Sequence, residues 1–87
     1  MFQNQIDESW QRILDSINVN ENIKNKVCLN SREVSQILGI SQSSLEGYRR
    51  ASIGPEYIKV DAGKRARIMY PKASIVDWIS RNKILTN

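Results

Sequence analysis

The stretch from Asn30 to Arg50 constrains the fold of this chain more than any other. Asn30 can accept a hydrogen bond from the first-turn amides of a following helix, and Glu33 can reach back to the Asn30 amide, completing a capping box. A helix therefore starts near Ser31 and buries Val34, Ile37 and Leu38 on one face. It ends at Gly39, the residue type that most easily adopts the left-handed conformation that stops a helix. Only Ile40 separates Gly39 from Ser41, a second good N-cap, which opens another helix from Gln42 to Arg50. Two short helices joined by so tight a turn must cross steeply, which is the arrangement in which a second helix is presented outward.

Within that second helix Leu45 and Tyr48 lie three apart and face the core, whereas Gln42, Ser43, Glu46, Arg49 and Arg50 fall on or near the opposite side. Gly47 is a local weakness, since Gly in a helix interior costs about 1 kcal/mol relative to Ala. It either permits close approach to a phosphate backbone or base edge, or is simply tolerated. Val27 to Leu29 make a short extended lead into the first of the two helices, and Ser52 to Pro55 form a turn after the second. Glu56 to Val60 then alternates in strand fashion, Asp61-Ala62-Gly63-Lys64 is the hairpin turn, and Ala66 to Tyr70 is the return strand. The result is a two-stranded wing with Lys64 and Arg65 at its tip and Arg67 behind. An isolated hairpin is marginal in water, so apolar residues among Tyr57, Ile58, Val60, Ile68, Met69 and Tyr70 must lean on the helices. Pro71 suits the first turn of a closing helix whose buried face is Ile75, Val76, Trp78 and Ile79, with Arg81 and Lys83 toward its negative end. The expected fold class is mainly α with a small β-hairpin, a winged helix-turn-helix carrying an additional N-terminal helix.

That additional helix runs from Ile6 to Ile17, where Ile6, Trp10, Ile13, Leu14 and Ile17 form one apolar face and Asp7, Glu8, Gln11, Arg12 and Asp15 the polar one. Two readings of the stripe stay open: a structural helix closing the core, or a self-association surface. Asn18 to Lys26, rich in Asn and anchored by Ile23, reads as a linker. The organisation expected is therefore residues 1–26 as helix and linker, and 27–87 as the winged unit.

The chain has 87 residues and a net charge of +4. That length allows one domain with a thin core and leaves no room for a large enclosed substrate cleft. With no His and the single Cys28, the sequence offers neither a disulfide nor a zinc site. With no phosphate-cradling glycine loop either, it points to no catalytic residue, metal or cofactor. No apolar run approaches the roughly 20 residues a membrane span needs, and a cytoplasmic protein is expected. The charge is segregated: Arg49, Arg50, Lys59, Lys64, Arg65, Arg67 and Lys72 face only Glu56 and Asp61, whereas residues 1–30 are slightly acidic. Such a segment suits a polyanion partner or simply keeps a small domain soluble.

The run from Leu29 to Ile84 resembles the small winged-helix family of phage and plasmid excisionases and AlpA-type regulators, and its paired helices are similar to those of MerR-type activators. The matching residues are Leu29-Asn30-Ser31-Arg32-Glu33-Val34, Leu38-Gly39-Ile40-Ser41, Ser44-Leu45, Tyr48-Arg49, Gly54-Pro55, Tyr57-Ile58-Lys59, Gly63, Tyr70 and Val76-Asp77-Trp78-Ile79. The resemblance implies a second helix in the DNA major groove and a wing on backbone or minor groove, which carries onto Gln42, Ser43, Gly47, Arg49, Arg50, Lys64 and Arg65. The chain departs from the family at Glu46 and Gly47, where relatives often carry basic residues.

Double-stranded DNA is thus the expected partner, and the bound protein is expected on the nucleoid. Lys59, Lys64, Arg65, Arg67 and Lys72 are expected at phosphates, and five such contacts give a log–log salt slope of about −4.5. Gln42 suits adenine and Arg49 or Arg50 guanine, at about 1–3 kcal/mol of discrimination each; either Arg can instead clamp a phosphate or pair with Glu46. So small a reader needs a homodimer, a cooperative array or a protein partner such as an integrase to be selective. A different class stays open, a protein-interaction adaptor using the paired helices as a scaffold.

Overall fold

A computed structural model describes residues 8–63 and 65–82, with the side chains of Ala62 and Arg65 excluded. Ile6, Lys64, Lys83 and Ile84 lie outside the described residues. The chain forms α1 (Glu8–Ile17), β1 (Cys28–Asn30), α2 (Ser31–Leu38), α3 (Gln42–Ala51), β2 (Ile58–Ala62), β3 (Arg65–Pro71) and α4 (Lys72–Asn82).

The caps form as the residue types dictate. Glu33 N donates to Asn30 Oδ1 at 2.8 Å and Asn30 N donates to Glu33 Oε1 at 3.0 Å, so the capping box is complete. Lys26 Nζ reaches Glu33 Oε2 at 2.6 Å and ties the chain before β1 to the start of α2. Gly39 takes φ +72°, letting Ile40 N donate to Ser35 O at 3.0 Å and closing α2 with a Schellman turn. Ser41 Oγ accepts from Ser44 N at 3.0 Å and opens α3. Ser52 ends α3 in the left-handed region at φ +60°, with Ile53 N donating to Tyr48 O at 3.0 Å.

The sheet differs from the expected two-stranded wing. Cys28–Asn30 is a true strand, and the order β1-β3-β2 makes β3 the centre of an antiparallel three-stranded sheet. Leu29 lies opposite Tyr70, and Lys59, Val60 and Asp61 lie opposite Ile68, Arg67 and Ala66. The hairpin is steadied by this third strand as well as by the helices. Its turn is also tighter than expected: Asp61 and Ala62 belong to β2, and Gly63 takes φ +70° where the chain reverses. Pro71 closes β3 opposite Cys28 rather than opening α4.

The core is built from Ile17, Ile23, Leu29, Val34, Leu45, Tyr70, Ile75 and Val76, so α1 and the segment after it share one core with everything that follows. Trp10, Ile13 and Leu14 pack against it, and Trp10 Nε1 donates to Asp77 Oδ1 of α4 at 2.6 Å. Of the two readings of the N-terminal stripe, the structural one holds for Trp10, Ile13, Leu14 and Ile17. Ile17 is buried there, and Trp10, Ile13 and Leu14 are half-buried against α4 and the core. The Asn-rich segment is a series of hydrogen-bonded turns, with Ile23 N and Lys24 N both donating to Asn20 O at 3.0 Å.

Candidate nucleic-acid interface

α3 is held by Leu45, fully buried, and by Tyr48, whose ring lies 6.0 Å from that of Trp78. A Cβ at Gly54 would sit 3.0 Å from Tyr48 Cβ, so the absence of a side chain there lets the post-helix turn close onto α3. Trp78 Nε1 donates to Ile53 O at 2.9 Å and fixes the same turn to α4. With one face anchored in this way, Gln42, Ser43, Glu46, Gly47 and Arg50 are exposed on the other. Gly47 opens directly onto solvent, since a Cβ there would meet nothing within 4 Å. Arg50 Nη2 pairs with Glu46 Oε2 at 3.0 Å, one of the two alternatives the sequence left for it.

Arg49 does something different. It is half-buried, donates from Nη1 to the hydroxyl of buried Tyr70 at 3.0 Å, and lies 5.7 Å above the Tyr57 ring, itself 6.0 Å from the Tyr70 ring. The buried phenol needs a partner, and a guanidinium that both donates and stacks suits the site better than Lys would. Through these contacts the Arg49 side chain joins α3 to the wing.

Lys72 is also engaged inside the fold. It is 8% exposed, and its ammonium donates to Asn18 Oδ1 at 2.8 Å, Ile23 O at 2.9 Å and Lys24 O at 3.2 Å. All three donors of the ammonium are used, so it is an internal anchor for residues 18–24. In the wing, strand alternation divides the remaining cations. Lys59 and Asp61 share the face of Ile68 and Tyr70, whereas Arg67 shares the opposite face with Ile58, Val60 and Met69. Lys59, Asp61 and Arg67 are all exposed. The Lys64 site falls outside the described residues, and Arg65 is described only as the β3 residue opposite Ala62.

The Glu33 carboxyl sits in a strongly asymmetric environment. Burial pushes its pKa up, but the hydrogen bond and charge of Lys26 and the Asn30 amide outweigh it, and the pKa falls below its ordinary value. That group serves the cap. Among the described residues no cluster of His, Cys, Asp and Glu could hold a metal ion, and no helix is long and apolar enough to cross a membrane.

A capped helix, a one-turn break and a second helix with an outward polar face, flanked by a β-hairpin, define a helix-turn-helix protein with a wing. Residues 28–83 match a helix-turn-helix domain family, one that includes excisionase- and AlpA-like proteins, and the chain belongs to it. Its class is DNA-binding. No curated protein and no solved structure gives a significant match.

Proposed function

We propose that the protein binds duplex DNA by placing α3 in the major groove, with Gln42, Ser43 and Arg50 toward base edges and Gly47 allowing close approach. The observation that carries this is the α3 surface itself: one face locked into the core, the other exposed, polar and lacking a side chain at its middle. Arg67, with Lys64 and Arg65 at the wing tip, supplies phosphate contacts. Phosphate contacts by Lys64, Arg65 and Arg67 give a log–log salt slope of about −2.7, and Arg50 adds a base contact. Alanine replacement of these four residues tests the reading in a gel-shift titration across salt concentrations. Loss of duplex binding with a flatter salt slope supports it, and unchanged binding overturns it.

Within that reading the protein acts as a transcription regulator or as an excisionase that bends an attachment site for an integrase. Circular-permutation gels separate the two, because a strong bend assigns the architectural role. One observation favours the adaptor reading instead: Glu46 places a carboxylate on the exposed face and neutralises Arg50. Glu46→Gln frees that guanidinium, so tighter DNA binding by this variant supports the groove assignment and unchanged binding favours the adaptor.

A further inference from the structure

Apart from the N-terminal stripe, which packs on the core, β2 offers a surface suited to self-association. β2 is an edge of the sheet, and its residues Ile58 and Val60 are 46% and 40% exposed. Natural edge strands are usually blunted by charge, because their free backbone groups template pairing. Here the charges are arranged differently. Lys59 and Asp61 flank Val60 on one face, and inside the hairpin their cross-strand neighbours are the uncharged Ile68 and Ala66. Among the described residues neither has an ion-pair partner.

The segment Ile58-Lys59-Val60-Asp61-Ala62 is self-complementary when run against itself. An antiparallel pair with its two-fold axis through Val60 sets Lys59 of each strand opposite Asp61 of the other and sets Val60 against Val60 on the opposite face. Shifting the register by one step either way centres the axis on Lys59 or on Asp61 and brings like charges together, which is unfavourable for directly opposed residues. We infer that the protein self-associates through β2, edge to edge and antiparallel, in the register centred on Val60. The occupant of the edge is a second copy of this chain, selected by charge complementarity and by register. An axis perpendicular to the sheet keeps both Tyr70 faces on the same side, so both α3 helices emerge on one side of a continuous six-stranded sheet.

The inference rests on strand register and charge and not on DNA, so it is tested on the free full chain. Sedimentation equilibrium at high micromolar concentration should show a monomer–dimer equilibrium. Lys59→Asp and Asp61→Lys should each weaken it about tenfold or more, since each turns two symmetric attractive pairs into repulsive ones. Combining the two reversals should restore it, which also excludes a folding defect as the cause. In a Cys28→Ser background, Val60→Cys should cross-link under mild oxidation, because directly opposed residues of an antiparallel pair fall within disulfide reach. Ala62→Cys, which the register sets opposite Ile58, should not. A monomer at every concentration, single reversals without effect, or equal cross-linking at both positions overturns the inference.

Discussion

Gly47→Ala separates the stability of α3 from its use. Gly47 lies inside Gln42–Ala51, is exposed, and has open space where a Cβ would project. The added methyl clashes with nothing, so the only folded-state change is the replacement of the poorest interior helix former, proline apart, by the best. That stabilises by about 1 kcal/mol. For a domain of this size the midpoint of thermal unfolding rises by roughly 4–8 °C, measured by the far-ultraviolet circular dichroism of the full chain. Duplex affinity moves in the opposite direction if α3 presses Gly47 against the groove floor, because the methyl then occupies space taken by a base edge or backbone. A rise in the midpoint with a fall in affinity is the expected pair of results. An unchanged or lower midpoint refutes the helix argument, and a higher midpoint with undiminished affinity refutes close approach at this position.

Lys72→Met removes the ammonium that serves Asn18, Ile23 and Lys24; Ile23 O keeps Lys26 N at 2.9 Å, but the part-buried Asn18 Oδ1 and Lys24 O lose this donor, at a cost of about 1–3 kcal/mol. Urea unfolding should register that loss while the slope of DNA affinity against salt stays unchanged; a flatter slope would return Lys72 to the phosphates. Glu33 has a folded-state pKa below its ordinary 4.5, so its contribution is complete above that value and is lost as pH falls through the lowered one. Glu33→Gln should therefore be less stable than wild type at neutral pH and lose less stability on acidification below about pH 4.5, followed by urea midpoints across pH. Ile17→Ala should cost about 2–5 kcal/mol as a core truncation, and deletion of residues 1–20 should unfold the protein; a folded, cooperative truncation by circular dichroism would show that α1 is dispensable.

The elements written by local chemistry were legible in the sequence. Asn30 with Glu33, Gly39 and Ser41 act on backbone groups within a few residues of themselves, so their spacing alone places α2, the turn and the start of α3. Leu45, Ile75 and Val76 followed from periodicity in the same way. The features that escaped depend on distant partners. The extended character of Val27–Leu29 is legible, but its pairing with β3, about 40 residues on, is not, because three residues carry too little alternation to name a partner. Nothing near Trp10 points to Asp77. Arg49 and Lys72 were assigned by charge, which reports what a side chain can bind but not whether the fold has already bound it. The alternation in β3 did contain a clue: Tyr70 shares its face with Ile68, so its hydroxyl had to be buried and had to find a donor.

Packing thus sorts the cations that composition treats alike. Of the seven between positions 49 and 72, Lys72 is internal, Arg49 is tied to Tyr70 and Tyr57, and Arg50 is partly neutralised by Glu46. Lys59 faces away from Arg67 across the hairpin, beside Asp61. The excess charge of the segment therefore overstates the cations free to meet a polyanion, and Arg67 stands exposed on the outer wing face. Arg49 connects α3 to Tyr70 of β3 and to Tyr57, so the proposed binding mode has helix and wing meet a duplex as one rigid piece. Loosening that joint should cost affinity uniformly across sequences, whereas changing Gln42 or Arg50 should change which sequence is preferred.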